Sequence, residues 1–475
     1  MLAVLEKLLN HKSLTNFVVP VFFSVVIGQA LLSSDPNYFS LFLAVFASFA
    51  VLPLLNKPFA LLQILIVIIP FSYMEILQTQ IMKVPGLKVI NILFVLTFVA
   101  FFLKNVRTNI AFAEKVFIVG TLSLLFIAVY RAVPQIPLFN FEMDENLNKL
   151  RFFQSFFLKP VVFFAPCIFI ALYVSDLNKV ELVLKTLVFS IIALSVFLLG
   201  VYLFFTPDKT DFENIRQSFS AVINLHGNNI ATIYITIFPL LISYYFIKKN
   251  ALSIVGIVLA VITIGLLYSR TAYLLLLISV FIYLFISKKF KLAPIIFVGL
   301  FIGVMFLPSS ISQRATTGLE SKDVYSISAG RVEGIWTPLV EEVLRSPKKL
   351  IFGSGLKAIF FSESYEKGQI YRTGHAHNLY LNTILDMGLV GLVFFMLFVV
   401  YLLRALFKAV KKSSFEEAQK EIIFGVIVAI LSFLIAGFTG RLSYPAISNY
   451  PLWIIMAIGA ALLKIQAKKD KLGIE

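Results

Sequence analysis

Residues 181–205, ELVLKTLVFSIIALSVFLLGVYLFF, form an apolar run long enough to cross a lipid bilayer as a helix. Similar runs of about 18 or more residues recur along the whole 475-residue chain. The chain is 59% hydrophobic and only 14% charged, whereas typical soluble domains contain about 25% charged residues. A soluble globular protein is therefore excluded. The pattern predicts an all-α polytopic membrane protein, because backbone that touches lipid must satisfy its own hydrogen bonds.

The apolar runs predict about 14 membrane-spanning helices, and merging of short runs would bring the count nearer 12. The first run lacks a small-residue cleavage site, so we expect a transmembrane helix there and not a removed signal peptide. The predicted spans are 16–33, 38–55, 58–76, 89–104, 114–132, 157–174, 181–205, 229–247, 251–268, 271–287, 292–308, 383–405, 421–439 and 448–465.

Basic residues predict the orientation of these spans, since Lys and Arg accumulate in short cytoplasmic loops. With the N-terminus inside, every second connection carries a basic cluster, such as Lys288/Lys289/Lys291. The polar segments 133–156, 206–228 and 309–378 then lie outside. We expect three parts: an N-terminal transmembrane bundle (1–308), a large periplasmic loop (309–378) and C-terminal transmembrane helices (379–475).

Charge and cysteine content exclude several kinds of partner. The net charge of +16 would indicate nucleic acid in a soluble protein. Here topology and contact with anionic membrane lipids account for it, so we expect no nucleic-acid partner. Cys167 is the only cysteine, so neither an intrachain disulfide nor a cysteine metal site can form.

The large loop is predicted to contain a helix over 328–344. Val332, Ile335, Trp336, Leu339 and Val343 fall on one face of such a helix. We expect this apolar stripe to lie on the membrane surface or on the rim of the bundle. Proline at position 338 should kink the helix.

Arginine is over-represented among the charges predicted to lie outside, and five of these arginines stand out. They are Arg216, Arg270, Arg331, Arg372 and Arg441. Each can simply pair with a lipid headgroup. Arginine also presents a planar fork that suits phosphate oxygens and keeps its proton. Several such forks on one face indicate an anionic ligand, most naturally a diphosphate.

Two of the four histidines lie in Gly374-His375-Ala376-His377-Asn378-Leu379-Tyr380-Leu381, where the loop returns to the membrane. One histidine near a helix start can be an interfacial or capping residue. A pair with an adjacent amide, Asn378, also suits proton transfer, because a neutral imidazole can accept a hydroxyl proton at physiological pH. Nearby carboxylates lack the spacing of metal ligands, so no metal site is predicted.

A third polar group, His226-Gly227-Asn228-Asn229, precedes span 229–247. It can bind substrate, or Asn228 can cap the helix. The chain has no Gly-rich nucleotide loop and no Walker lysine motif. The energy for a transfer reaction would therefore arrive with a substrate such as a lipid-linked diphosphate sugar.

Over roughly residues 180–440 the chain resembles the O-antigen ligase and polymerase superfamily. The motifs that carry the resemblance occur in the family's order. They are Arg216 with Asn228-Asn229, Ser269-Arg270, Gly330-Arg331 ahead of Trp336, Phe352-Gly353-Ser354-Gly355, and His377-Asn378-Leu379-Tyr380-Leu381 followed by Gly388 and Gly391.

The resemblance implies a GT-C-like membrane glycosyltransferase of the bacterial inner membrane, with its active site facing the periplasm. Its donor would be a glycan on undecaprenyl diphosphate and its acceptor lipid A-core, with no metal or cofactor. By resemblance, His377 is the general base, and Arg270, Arg331 and Arg216 hold the diphosphate. The residues expected to support these or contact substrate are Asn378, His375, Tyr380, Asn229 and Arg441.

Four alternatives stay open at this stage. The protein can be a ligase for lipopolysaccharide biosynthesis, or a polymerase whose acceptor is a second lipid-linked repeat unit. Ligation to protein hydroxyls is a further variant. A lipid-linked oligosaccharide transporter is also compatible with the number of spans, although it would favour charges at the middle of the bundle over a large outer loop.

Overall fold

The structure is a computed structural model. It describes residues 55–78, 80, 88–103, 112–137, 148–292, 328, 330–370, 373–411, 415–440 and 442–472. These residues are helical or irregular and contain no β-strand. The helices are α1 Pro58–Ile68, α2 Glu75–Gln78, α3 Val89–Leu103, α4 Phe112–Ala132, α5 Lys149–Phe153, α6 Lys159–Tyr173, α7 Leu177–Phe204, α8 Phe212–Ile223, α9 Gly227–Lys248, α10 Ala251–Leu266, α11 Arg270–Ile286, α12 Thr337–Leu344, α13 Pro347–Phe352, α14 Glu363–Glu366, α15 Leu379–Val410, α16 Glu417–Ala436 and α17 Tyr450–Leu472.

Seven of the described helical segments are long and apolar enough to span a membrane, and four more are apolar but shorter. Each corresponds to a predicted span, and the prediction of an all-α polytopic membrane protein is confirmed. Spans 16–33, 38–55 and 292–308 fall almost wholly outside the described residues. The full count of spans therefore stays a prediction.

The chain forms two compact units, Met1–Val106 and Arg107–Glu475. In the described part of the first unit, α1 packs against α3. The second unit contains every described residue of the predicted site. Its innermost helices are α9, α16 and α17, where 78%, 72% and 83% of the apolar window is buried. In α4 and α15 only 28% and 33% is buried, so these two helices face lipid over most of their length.

Ion pairs gather at one end of the second unit. Lys248 at the end of α9 pairs with Glu181 near the start of α7, and Lys289 after α11 pairs with Glu421 near the start of α16. Lys469 of α17 pairs with Glu416 before α16, 3.1 Å away. The opposite ends of these same helices carry the histidine and arginine motifs. These three ion pairs therefore lie at the end of the helices away from the candidate site.

The prediction of a polar connection over residues 133–156 is wrong in part. The helical segment starts at Lys149, where the Asn148 side chain accepts the backbone N–H of Arg151 at 2.9 Å, and continues through Tyr173. The polar residues of 148–156 suggested a loop, but an N-cap and three phenylalanines that pack inward extend the helix.

The loop helix is confirmed in position but differs in form. Residues Val332–Trp336 form a π-helical turn that continues directly into α12, and Pro338 follows this turn. Ile335, Leu339 and Val343 are buried, as the stripe predicted. They pack on the end of α4 and the start of α15 in one apolar cluster, so the stripe is covered by protein.

Candidate functional site

The histidine motif is a short irregular segment, 373–378, that leads directly into α15. The Asn378 side chain caps this helix, since its Oδ1 accepts the backbone N–H groups of Tyr380 at 2.9 Å and Leu381 at 3.1 Å. His377 adopts a left-handed backbone conformation with φ of +51°. Few non-glycine residues hold this conformation, so the surrounding contacts must stabilise it.

The peptide group of Ala376, between the two histidines, is held from both sides. Its N–H donates to Oδ1 of Asn382 at 3.3 Å, and its carbonyl accepts from Nε1 of Trp336 at 2.8 Å. Asn382 also donates to Oδ2 of Asp386 at 3.0 Å. One turn of α15 and the π-helical turn of the loop therefore fix the histidine segment together.

Two glycine motifs meet in a single backbone contact. A Cβ on Gly353 would lie 2.5 Å from the backbone nitrogen of Gly388, and a Cβ on Gly388 would lie 2.1 Å from the carbonyl oxygen of Ile351. Both glycines have positive φ, +68° and +73°. The next residue, Ser354, donates its N–H to the Leu385 carbonyl at 2.7 Å. The loop thus docks directly on the start of α15, which explains why both motifs need glycine.

Lys357 also stabilises the histidine segment. Its ammonium donates to the carbonyl of Gly374 at 3.1 Å, and its own backbone is left-handed with φ of +64°. Burial lowers the pKa of Lys357, and the nearby Asp386 carboxylate partly opposes this shift. The positive charge lies close enough to lower the pKa of His375.

The two histidine rings touch, with centroids 4.0 Å apart and planes at 77°. Nδ1 of His375 accepts the backbone N–H of His377 at 3.3 Å. Burial lowers the pKa of His375 to about 4, and the charge of Lys357 adds to the effect. Burial also lowers the pKa of His377 to about 3, with further contributions from His375, Arg331 and His226. Both rings are therefore neutral at physiological pH.

Arg331 lies beside His377. Its guanidinium donates to the carbonyl of Thr439 at 3.4 Å, and the next residue, Gly440, contacts the His377 ring. Burial lowers the pKa of Arg331, and Arg270 lowers it further, so the two guanidinium groups act on each other. Arginine nevertheless keeps its charge. The turn after α16 therefore lies against both Arg331 and the candidate base, His377.

Arg216 reaches the site through His226. One guanidinium nitrogen of Arg216 lies 3.3 Å from Nε2 of His226. His226, and not Asn228 as the sequence suggested, caps α9: its Nδ1 accepts the backbone N–H of Asn228 at 3.2 Å. Arg216 lies against the start of α9, with its Nε 3.5 Å from where a Cβ on Gly227 would stand.

The remaining predicted residues lie at the edge of this arrangement. Tyr380 donates its hydroxyl to the Leu434 carbonyl at 2.8 Å, and its ring lies 4.8 Å from that of Phe438. The backbone N–H of Asn229 donates to the carbonyl of His226 at 2.8 Å. Arg441 lies outside the described residues. In the described part of the chain, no cluster of three or more His, Cys, Asp or Glu residues could hold a metal ion.

Three contributors could not be assigned from the sequence. Thr373 and Lys357 touch the histidine segment, but neither lies in a recognisable pattern. His226 was one member of a polar group with no assigned role. Its electrostatic effect on His377 places it in the same cluster.

A comparison with protein families identifies the region. Residues 255–396 match the O-antigen ligase family. Over these residues the chain is therefore similar to the O-antigen ligase family. The matched region contains Arg270, Arg331, His375 and His377, and Arg216 and His226 lie before it. No curated protein matches the chain. The predicted resemblance to this superfamily is confirmed.

Proposed function

We propose that this protein is an inverting glycosyltransferase of the O-antigen ligase superfamily. It transfers a glycan from undecaprenyl diphosphate to an acceptor hydroxyl of lipid A-core, at the periplasmic face of the bacterial inner membrane. The observation that carries the proposal is the pairing of a neutral histidine, His377, with a cation, Arg331, across the Thr439-Gly440 turn.

The neutral histidine and the arginine cations suit the two halves of such a transfer. A neutral imidazole can take the proton of the attacking hydroxyl. Guanidinium groups can stabilise the negative charge that develops on a departing diphosphate, which is where fixed cations accelerate a reaction most. Arg270 acts electrostatically on Arg331, and Arg216 contacts His226, so three cations are available on the same side of the unit. Direct attack by the acceptor inverts the anomeric centre.

The decisive experiment is transfer by the purified full chain in liposomes. Labelled undecaprenyl-diphosphate glycan is supplied with lipid A-core and, in a parallel reaction, with a second lipid-linked repeat unit. We expect label on lipid A-core. Label only on the second lipid-linked unit would instead identify a polymerase. Movement of intact donor across the bilayer without any transfer would identify a transporter and overturn the proposal.

The variant that tests the assignment of the base is His377→Ala. We expect transfer to fall by about 100-fold or more, as general-base catalysis contributes typically that much. Expression and thermal stability should stay near those of the wild type, because the ring is only partly buried. Wild-type transfer by this variant would refute the assignment of His377 as the base.

A further inference from the structure

The Thr373 hydroxyl lies between two groups of the histidine motif. Its Oγ1 is 3.1 Å from the His375 carbonyl oxygen and 3.2 Å from Nε2 of His377. A threonine hydroxyl has one hydrogen to donate and lone pairs that accept. A carbonyl oxygen can only accept, so the hydroxyl hydrogen points to His375. The hydroxyl lone pairs then face Nε2 of His377, and this nitrogen must supply the hydrogen of the second bond.

The other ring nitrogen of His377, Nδ1, faces Gly440. A Cβ on Gly440 would stand 3.5 Å from Nδ1 and 3.3 Å from the Cα of His377. Gly440 has φ of +114°, a conformation that residues with a side chain rarely adopt. The glycine therefore keeps clear the space that an approaching hydroxyl would need. Arg331 donates to the carbonyl of the preceding residue, so this edge also lies beside a cation.

Neither of the other two described histidines offers a free basic nitrogen in the same way. Nδ1 of His375 accepts the backbone N–H of His377 at 3.3 Å, so its proton belongs on Nε2. Both ring nitrogens of His226 face donors: the backbone N–H of Asn228 lies 3.2 Å from Nδ1, and a guanidinium nitrogen of Arg216 lies 3.3 Å from Nε2. Protonating Nδ1 of either ring would break a bond that holds the local backbone.

We infer that Thr373 is a positioning residue that fixes His377 as the Nε2–H tautomer and leaves Nδ1 to take the proton of the acceptor hydroxyl. The inference rests on the proposed function. In the transfer step, the acceptor oxygen bonds to the anomeric carbon while its proton passes to Nδ1. The bond between that carbon and the diphosphate oxygen breaks, and its electron pair leaves with the diphosphate. The imidazolium then releases its proton to water.

The electrostatics agree with this assignment. Burial, with contributions from His375, Arg331 and His226, keeps the pKa of His377 low in the free protein, so the ring is unprotonated before substrate binds. A diphosphate bound beside Arg331 adds negative charge, which favours the imidazolium during the step itself.

The direct test is the ring nitrogen spectrum of protein labelled with ¹⁵N-histidine. The chain has only four histidines, so substituting each in turn assigns every ring. In the wild type we expect His377 to show a protonated Nε2 and an unprotonated Nδ1 at pH 7. An unprotonated Nε2 paired with a protonated Nδ1 would overturn the inference, and this result needs no variant at position 373.

Kinetics of two variants supply the second test. Thr373→Val keeps the shape but removes the hydroxyl, and we expect kcat to fall about tenfold with little change in KM, because about one hydrogen bond is lost. Its spectrum should show a mixture of the two His377 tautomers. Thr373→Ser restores the hydroxyl and should restore both kcat and the tautomer. A Thr373→Val protein that keeps the wild-type tautomer would overturn the positioning role, whatever its activity.

These results separate the inference from the proposed function. The tautomer is read without any substrate, so it can be established even if no acceptor gains label. Absence of transfer to every acceptor, together with the expected tautomer, would refute the proposed reaction and leave the role of Thr373 in place. Transfer to an acceptor by a protein that shows the opposite tautomer would support the proposed reaction and refute the role of Thr373.

Discussion

The indole of Trp336 donates a hydrogen bond to the carbonyl of Ala376, with the two atoms 2.8 Å apart. Forty residues separate the partners in the chain. The bond joins the turn that starts beside Arg331 to the peptide between His375 and His377. Cation and candidate base are therefore held by one rigid contact as well as by the turn at Thr439.

Trp336→Phe should test this contact, because it keeps an aromatic ring and removes only the donor. We expect a loss of about 1 kcal/mol in the free energy of unfolding. Transfer per folded molecule should fall by about tenfold, since a small displacement of a catalytic group is costly. Thermal unfolding and a transfer assay measure the two effects.

The chain offers a matched control in its other tryptophan. Trp453 donates to Oδ1 of Asn449 at 3.1 Å within the buried helix α17. Trp453→Phe should cost similar stability but leave transfer per folded molecule unchanged. Equal losses of transfer in both variants would show that Trp336 acts only through stability.

Gly353→Ala and Gly388→Ala should both detach the loop from α15. A Cβ at either position would meet backbone atoms at 2.6 Å or less, and backbone cannot move aside as a side chain can. We expect destabilisation of about 3 kcal/mol or more and loss of transfer. Limited proteolysis of the loop and thermal unfolding provide the measurements.

Gly368→Ala separates crowding from backbone strain. Gly368 has φ of +67°, nearly the same as the other two glycines, but no atom lies within 4 Å of its would-be Cβ. This variant should cost only about 1 kcal/mol, the penalty of a left-handed alanine. If it were as damaging as Gly388→Ala, the close contact would not be the reason for the glycine motifs.

Arg270→Lys and Arg331→Lys should each lose most transfer activity. Lysine keeps the charge but cannot present two parallel N–H donors to a diphosphate. We expect kcat/KM to fall about 10- to 100-fold, corresponding to about 1.5–3 kcal/mol for charge-assisted hydrogen bonds. Arg345→Lys is the control, because that side chain is 73% exposed and pairs, among the described residues, with Glu341 one turn earlier. Wild-type rates for Arg270→Lys would mean that this residue only anchors the helix at the lipid headgroups.

The low pKa of His377 predicts a flat pH profile. A histidine with the ordinary pKa of about 6.5 would be nearly nine-tenths protonated at pH 5.5, and a general base would lose roughly tenfold in kcat/KM. Because the pKa of His377 is about 3, we expect less than about a twofold fall between pH 7 and pH 5.5. A tenfold fall with a midpoint near 6.5 would contradict a neutral, buried His377.

The stability of the folded chain should also depend on pH through His377. Between pH 6.5 and about 3 the unfolded chain binds a proton at His377 that the folded chain does not. The contribution to stability is therefore complete above pH 6.5 and is lost as the pH falls from there toward 3. His377→Gln should show a smaller drop in melting temperature on acidification than the wild type, provided that both are measured in the same membrane mimic.

The sequence alone determined the class of fold and the motifs that form the candidate site. Backbone in contact with lipid must form helices, and the seven long and four shorter apolar helical segments of the described residues all lie at predicted spans. The motif His377-Asn378, the two glycine motifs and the arginines identified the superfamily, because each places a particular chemistry at a helix end.

Only the tertiary structure decided how these parts meet. Thr373, Lys357 and His226 carry no periodic or motif signal, since they act through contacts across 4 to more than 100 residues of chain. The pairing of Gly353 with Gly388 and of Trp336 with Ala376 depends on how the loop packs on α15, which no local pattern encodes. The low pKa of His377 likewise comes from burial and from cations on other elements, so it belongs to the folded chain.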